Sequence, residues 1–163
     1  MTVDSDTFRR VMGNFATGVT VLVQPTDPPH GMTANAFSSV SLDPPLCLVC
    51  VDHDTDCYEH FESGHTEFAF TFLAADQQDL GEHFAGMTEL EPSPFEARAT
   101  TTAATGTPIF ADGLAYADCT LEAAHPAGDH TIYVGAVEDA AVLDPDADAL
   151  TFFQGEWGSL GDA

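Results

Sequence analysis

Short hydroxyl and amide side chains are concentrated in one stretch of the chain, from His30 to Pro45. Its apolar residues do not recur at helical spacing, and no charge appears before Asp43, so the stretch predicts a strand, a bend and a second strand. Gly31 leaves the backbone open to close approach by another molecule. Compact donors and acceptors come from Thr33, Asn35, Ser38, Ser39 and Ser41. Such a wall suits a planar polar ligand with a phosphate tail, although an ordinary β-bend uses the same residue types.

Histidines and cysteines are the other side chains that could bind a metal or do redox chemistry. The seven histidines have spacings that match no recognised set of metal ligands, so we expect no metal site. The four cysteines are too few and too irregularly spaced for a disulfide framework. Cys47 and Cys50 form a C-x-x-C pattern, but in the strand-like run LCLVCV residues three apart point to opposite faces. We therefore expect buried, reduced thiols.

A first helix is predicted near the N-terminus, where apolar residues recur at i, i+3, i+4 and i+7. Ser5 or Asp6 is available as its N-cap, and Gly18 is expected to end it. The apolar positions are Phe8, Val11, Met12 and Phe15. Two more short helices are predicted. One spans 56–61, where Asp56 as the N-cap and Glu59 have the spacing of a capping box, and the other spans about 76–84.

Strand patterns fill most of the remaining sequence. The run 46–51 is apolar throughout and predicts a strand buried on both faces, whereas 67–73 alternates as a half-buried strand does. Residues 86–107 are predicted to form a surface excursion. Further strands are predicted at 20–23, 114–124, 130–138 and 150–154. About seven strands with two or three short helices, and no regular strand–helix alternation, predict a mainly β fold with a closed antiparallel sheet.

The charge of the chain is strongly one-sided, since 27 acidic residues stand against three arginines and the net charge is −24. Such a charge repels nucleic acid and anionic membranes, so neither is expected as a partner. Acidic residues spread over a chain of ordinary apolar content, 44%, predict a surface adapted to high salt and hence a halophilic source. Arg9 and Arg10 are expected to neutralise acidic neighbours.

The length of 163 residues suits one domain spanning residues 1–163, with enough chain to bury a core. The N-terminal MTVDSDTF has neither the basic nor the apolar segment of a signal peptide, and no apolar run is long enough to span a membrane. A cytoplasmic location is expected.

Three motifs in order carry a family resemblance: FATGVTVLV (15–23), the stretch from His30 to Pro45, and GDHTIYVGAV (128–137). Together they resemble the flavin reductase family of FMN-binding split β-barrels, over nearly the whole chain. The resemblance implies an NAD(P)H-dependent flavin reductase that transfers a hydride to FMN or FAD. It also implies a homodimer with flavin at or near the interface, and a two-component monooxygenase that receives the reduced flavin.

The resemblance implies a set of site residues in this chain. One group should line the isoalloxazine ring: Met32, Thr33, Ala34 and Asn35. A second should follow the ribityl chain and phosphate: Ser38, Ser39, Val40 and Ser41. A third should close the far wall or lie near the phosphate: Cys50, Val51, Thr55 and Phe84.

Gly128, Asp129 and His130 match the family's G-D-H element, which implies a place for His130 beside the nicotinamide. Its implied catalytic role is to orient the carboxamide or to guide a proton, held by Asp129 or by a backbone group. A histidine at a strand start that bonds only the backbone is the structural alternative.

One departure from the family pattern concerns the loop after the buried strand. Many relatives carry an arginine or lysine there, whereas this chain has Asp52, His53, Asp54, Thr55 and Asp56. A flavin phosphate would have to be held by hydroxyls, backbone amides, His53 or an arginine from elsewhere such as Arg98. Weaker retention of the flavin is expected, because charge-assisted hydrogen bonds are the stronger ones.

Two other functions remain open at this point. A flavin-binding electron carrier on the same barrel would keep its flavin and would not use nicotinamide as the donor. A noncatalytic split-barrel protein that has lost flavin would account for the missing basic residue. Turnover of NADH or NADPH with added free FMN distinguishes the reductase from both.

Overall fold

The computed structural model describes residues 2–162; Met1 and Ala163, the two ends of the expected domain, lie outside the described residues. Its strands are β1 (Thr17–Gly18), β2 (Thr20–Gln24), β3 (His30–Ala34), β4 (Phe37–Leu42), β5 (Pro45–Asp52), β6 (Glu67–Phe72), β7 (Thr100–Thr101), β8 (Ile109–Phe110), β9 (Ala115–Ala127), β10 (His130–Val142), β11 (Leu150–Phe153) and β12 (Glu156–Ser159). Its helices are α1 (Ser5–Met12), α2 (Asp56–Glu62), α3 (Gln78–Phe84) and α4 (Pro94–Ala97), with 3₁₀ turns at Ala75–Gln77 and Leu160–Asp162. The predicted mainly β fold is confirmed.

A seven-stranded antiparallel sheet in the order β3-β2-β6-β9-β10-β5-β4 forms the body of the fold. Its two edge strands, β3 and β4, are separated in sequence by Asn35 and Ala36 alone. So short a link reaches roughly 10 Å, and the two edges of the sheet must therefore come together. The sheet consequently curls into a barrel whose seam lies between β3 and β4, which confirms the expected split barrel.

The interior of the barrel is filled by apolar and aromatic side chains. The Phe61 ring stacks on Tyr133 with centroids 4.1 Å apart, and meets Phe68 edge to face at 5.2 Å. A second apolar cluster lies outside the barrel, where Val21 on β2 packs in the same cluster as Leu80 of α3 and Leu150 of β11. Because β2 is buried on both faces, the chain leading into β3 is held firmly.

Two thiols flank strand β10 inside the core. Gly135 of β10 stands opposite Cys47 of β5, and Cys119 of β9 reaches over the same glycine from the other side, with the two Sγ atoms 3.7 Å apart. Cys47 and Cys119 lie two strands apart, about 9.5 Å across the sheet, whereas a disulfide requires Cα atoms within about 7 Å. All four cysteines are free thiols in the structure, as expected, but the predicted burial was wrong for Cys50, which is only partly buried.

The first helix differs from its prediction at both ends. Asp4, not Ser5 or Asp6, is its N-cap, and the Asp4 carboxylate accepts a hydrogen bond of 2.9 Å from the Thr7 N–H. Gly13 ends the helix, five residues earlier than expected. The apolar pattern therefore continued beyond the segment that is helical.

The burial predicted for two strands was wrong. On β5 only alternate residues, Cys47, Val49 and Val51, lie in the core, and the other face is half-buried because it borders open cavities. On β6 both faces are buried rather than one, because the segment at β8 covers the outer face, where Phe110 N–H donates to the Thr71 hydroxyl at 3.1 Å.

Short elements appear where none was expected. The excursion over 86–107 contains α4 and β7, and β12 follows the last predicted strand. Within residues 2–162, no helix has the length and apolar character needed to cross a membrane.

Candidate functional site

The seam of the barrel opens on a cavity of about 540 Å³, the central cleft. One wall is β3 with the bend at Asn35 and Ala36, and the opposite wall is the end of β5 with the loop that follows it. The antiparallel register pairs His130 with Asp52, so the start of β10 also lies at this cleft. Residues 84–86, at the end of α3, complete the lining.

The cleft brings together most of the residues that the sequence proposed for a ligand site. Eight of them line it: Met32, Thr33, Ala34, Asn35, Cys50, Thr55, Phe84 and His130. They come from four separate parts of the chain, which only the closure of the sheet makes neighbours. Their roles toward a ligand remain predictions.

The remaining proposed residues lie elsewhere. Ser38 lines an adjoining groove, and Ser39, Val40 and Ser41 continue along the edge strand β4 away from the cleft. The register of β4 shifts between Ser39 and Ser41, which leaves Val40 as the extra residue of a β-bulge. Val51 is fully buried in the barrel core, because strand alternation turns it away from the Cys50 side.

Two residues of β3, Thr33 and Gly31, make contacts within the fold that do not depend on a ligand. The Thr33 hydroxyl donates a 2.6 Å hydrogen bond to the Gly81 carbonyl and so ties β3 to α3. A Cβ at Gly31 would lie 2.5 Å from the Phe84 ring. The expectation that Gly31 admits a ligand is therefore corrected, since the Phe84 ring occupies that space.

Three carboxylates line the central cleft, and within residues 2–162 no lysine or arginine does. They belong to Asp52, Asp54 and Asp56. The Asp52 carboxylate accepts a 2.9 Å hydrogen bond from Asp54 N–H, which folds the loop back on itself. Thr55 is the N-cap of α2, since its hydroxyl accepts from Tyr58 N–H at 3.2 Å, so the predicted N-cap was one residue too late.

Neither basic group suggested for a phosphate lies at the cleft. His53 is hydrogen-bonded through Nε2 to the Thr131 hydroxyl at 2.9 Å and packs on the Tyr58 ring. Arg98 forms ion pairs with Asp79 at 2.7 Å and Asp112 at 2.9 Å. Both side chains are therefore engaged in holding the fold.

His130 and Asp129 form a pair at the mouth of the cleft. His130 Nδ1 lies 2.7 Å from the Asp129 carboxylate, and the two side chains are 41% and 90% exposed. The hydrogen bond from His130, followed by its charge, lowers the pKa of Asp129. With Asp129 ionised, Nδ1–H is the donor and Nε2 is left to meet a ligand.

His30 is a cleft residue that the site prediction omitted. It is half-buried and lies edge to face with His60, their ring centroids 5.0 Å apart. Burial, and then the nearby His60, lowers the pKa of His30. The alternation of side chains along the strand, two residues before Met32, was the signal that could have identified it.

Two further cavities share lining residues with the central cleft. The helix groove, about 850 Å³, shares Asn35, Ala36 and Cys50 with the cleft, and its other lining residues include members of α1, β1, β4, β5 and β11, Arg9 among them. The aromatic cavity, about 720 Å³, shares His30 and Phe84 with the cleft. The two cavities thus adjoin the cleft at different parts of its lining.

Comparison with known proteins identifies the family. Residues 12–161 match the family model described as the flavin reductase like domain. The chain belongs to the flavin reductase family. Over 156 residues it is 39% identical to the NADH-dependent flavin reductase of a Rhodococcus species, covering 93% of this chain and 84% of that relative.

Solved structures of flavin reductases share the same fold. BorF, the flavin reductase component of a bacterial two-component tryptophan halogenase, is 41% identical with a TM-score of 0.86, covering 96% of this chain and 98% of that chain. The Streptomyces globisporus NADH:FAD oxidoreductase SgcE6, in complex with NAD and FAD fragments, is 34% identical with a TM-score of 0.84, covering 97% and 95% respectively. The flavin reductase fold therefore accounts for nearly the whole chain.

Proposed function

We propose that this chain is an NADH-dependent flavin reductase that transfers a hydride from the nicotinamide to FMN or FAD. The observation that carries the proposal is the meeting of β3, the loop 52–56 and His130 at one cleft, in a fold shared with NADH-dependent flavin reductases. The flavin and the nicotinamide supply the hydride chemistry when bound, and the protein must hold and align them.

The central cleft fits a flat polar ring system on three counts. β3 is an edge strand of the sheet, so the peptide groups on its open side are available to a ligand. The small side chains of Ala34 and Ala36 leave room beside that backbone. Phe84 and Met32 provide apolar contact, and the side chain of Cys50 forms part of the opposite wall.

The roles proposed for individual residues follow from these positions. Residues 32–35 would hold the ring through backbone groups, since the Thr33 hydroxyl is already bonded to Gly81. His130, oriented by Asp129, would present Nε2 to the nicotinamide carboxamide or to a proton. Ser38 would meet a ligand only where the helix groove extends the cleft.

An anaerobic assay of NADH oxidation with added FMN or FAD, in molar KCl, tests the function. The proposal requires turnover that rises with flavin concentration and saturates. A flavin that co-purifies and is reduced once, without turnover of added flavin, would indicate the electron carrier. A colourless protein that leaves FMN fluorescence unchanged would indicate a noncatalytic protein.

We also infer a homodimer from an exposed apolar surface, here the α1 face. None of the apolar side chains of α1 is buried, and Phe8 and Met12 are 56% and 51% exposed. Phe15, just beyond the helix, is 78% exposed. This face lines the helix groove, so a second copy packed there would cover the groove that adjoins the cleft.

The setting of the enzyme is proposed from its charge and its relatives. A net charge of −24 supports a salt-adapted, halophilic protein. A cytoplasmic location stays a prediction. BorF serves a two-component halogenase, which supports a comparable role here as the reductase for a flavin-dependent monooxygenase.

A further inference from the structure

Two of the three arginines of the chain line one surface cavity, here the arginine cavity. Its volume is about 610 Å³. One side of α1 and the turn between β11 and β12 supply its lining: Arg9, Arg10, Gly13, Asn14, Gln154 and Gly155. Within residues 2–162 no carboxylate lines it, although the chain has 27 acidic residues. The cavity is therefore locally basic on a strongly acidic protein.

Arg9 and Arg10 are not used for contacts between side chains of the same chain. Within residues 2–162 neither guanidinium forms an ion pair or a side-chain hydrogen bond, whereas Arg98 is bound between two carboxylates. Asp6 precedes Arg10 by four residues, the spacing of an ion pair along a helix, yet the two do not pair. Both guanidinium groups are thus available to an anion from outside the chain.

Hydrogen bonds hold α1 against the turn that faces it across the arginine cavity. Gln154 N–H donates to the Gly13 carbonyl at 2.8 Å, and Gln154 Nε2 donates to Asn14 Oδ1 at 2.7 Å. Asn14 Nδ2 in turn donates to the Arg10 carbonyl at 2.7 Å. Gln154 has a φ of 52°, in the left-handed region that residues other than glycine rarely adopt. The backbone that carries the arginines is therefore fixed before any ligand binds.

The arginine cavity lies on a different side of α1 from the apolar face proposed to meet a second copy. At about 100° per residue, Met12 lies about 40° around the helix from Phe8, whereas Arg10 lies about 200° from it. Arg9, at about 100°, is at the border and also lines the helix groove. A second copy on the α1 face would therefore come near Arg9 and leave Arg10 accessible.

Phosphate is the chemistry that two neighbouring guanidinium groups suit. Each presents N–H donors in a planar fork that matches two phosphate oxygens, and such charge-assisted hydrogen bonds are the stronger ones. The volume of the cavity is that of a site for a small molecule. The net charge of this chain, and that of a second copy, repels an anion at long range. In 0.15 M salt this repulsion is largely screened beyond about 8 Å, whereas direct hydrogen bonds remain.

We propose that the arginine cavity is a binding site for a phosphate-bearing small molecule, held by the guanidinium groups of Arg9 and Arg10. Two sources of this chemistry fit its position. The cavity shares Arg9, Gly13 and Gly155 with the helix groove, which adjoins the central cleft, so the phosphates of a nicotinamide dinucleotide are one source. A separate phosphate-bearing effector is the other. Binding is measured without turnover, so the site does not depend on the proposed reductase function.

Isothermal titration calorimetry with inorganic pyrophosphate tests the site, at the lowest KCl concentration at which circular dichroism shows a folded protein. We expect saturable binding to one site per chain. Arg10→Gln should weaken this binding by about ten-fold or more, and Arg10→Lys, which keeps the charge but loses the planar fork, should weaken it less. Arg98→Gln removes an equal charge from a guanidinium that already has two partners, and should change the Kd by less than about two-fold.

Three results would overturn the proposal. The first is a wild-type protein without saturable binding. The second is an equal loss of affinity in Arg10→Gln and Arg98→Gln, or an Arg10→Lys variant that binds as wild type does, since either would show attraction by charge alone. The third concerns the second copy: Phe8→Ser combined with Phe15→Ser should leave the Kd unchanged, and a loss there would place the site between two copies.

Steady-state kinetics distinguish the two sources of phosphate. Pyrophosphate that raises the KM for NADH or NADPH without changing kcat would assign the cavity to the phosphates of the coenzyme. Pyrophosphate that binds without changing that KM would assign it to a separate ligand, and both results support the site. If no flavin turns over, the reductase function fails, while the calorimetric result still decides whether the cavity binds phosphate.

Discussion

At the scale of single residues, the cleft joins groups with two different tasks. Thr33 and Gly31 maintain the wall itself, the first by bonding Gly81 and the second by accepting the Phe84 ring. His130 and Asp129 are instead exposed, and their hydrogen bond is made to each other. Residues of the first kind should affect folding when changed, and residues of the second kind should affect activity.

Replacement of His130 tests this distinction. His130→Asn should lower kcat/KM for NADH by about ten-fold or more, because it removes a group placed to orient or protonate, while the flavin Kd and the thermal midpoint change little. Steady-state kinetics and fluorescence titration separate the two effects. His125→Asn, on the exposed part of β9, is the matched control. An unchanged kcat/KM in His130→Asn would limit His130 to a structural role.

At the scale of elements, the barrel depends on close contact across strand β10. Gly135 of β10 lets Phe68 and Cys119 approach over the backbone, and a Cβ there would lie 2.7 Å from the Phe68 ring and 3.1 Å from Cys119 Cβ. Gly18, in the short strand β1, has no atom within 4 Å of the same built position. The two glycines therefore offer a contrast between overpacking and open space.

Gly135→Ala should destabilise the protein by about 1–3 kcal/mol, since the added methyl group forces the Phe68 ring or β9 to move. Gly18→Ala should change the free energy of unfolding by less than about 1 kcal/mol. Urea unfolding at a fixed KCl concentration measures both. Similar stabilities for the two variants would show that the core at β10 adjusts freely.

The α1 face gives the second prediction at this scale. Phe8→Ser with Phe15→Ser should convert a dimer into a monomer, because each replacement removes a large exposed ring from the proposed interface. Light scattering after size exclusion reports the mass directly. Val142→Ser, which changes a 69% exposed residue at the end of β10, is the control. A wild-type protein that is monomeric at all concentrations would contradict the interface.

At the scale of the whole molecule, the main feature is the large excess of negative charge. A chain with 27 acidic residues and three arginines repels itself in dilute salt, although its core is that of an ordinary globular protein. Within residues 2–162 the structure contains two ion pairs between arginine and carboxylate, both at Arg98, and none at Arg9 or Arg10. The expectation that these two residues neutralise acidic neighbours is therefore not met by direct pairing.

The thermal midpoint should rise steeply as KCl is raised from dilute to molar concentration, because salt screens the repulsion among unpaired carboxylates. Sodium chloride should act similarly, since screening depends on ionic strength. An uncharged osmolyte at equal osmolarity is the control that separates screening from general exclusion effects. Equal midpoints in dilute and molar salt would contradict salt adaptation.

The sequence alone was sufficient for the class of fold, most strands and many of the residues that line the cleft. Strand alternation and apolar runs depend on local order, so they located β2, β6, β9 and β10 closely. It also showed that the loop after β5 has no basic residue, because that is a matter of composition. The family resemblance on three motifs, 15–23, 30–45 and 128–137, supplied the expected barrel.

Only the tertiary structure decided which of these residues meet. The curl of the sheet brings residues 30–36, 50–56 and 130 together at one seam, and these contacts depend on pairings between distant strands. The same pairings place a bulge at Val40, send Ser39 and Ser41 along an edge strand, and turn Val51 into the core. Local pattern carries no information on which neighbour lies across a sheet, so long-range packing alone could separate the cleft from the rest of the polar stretch.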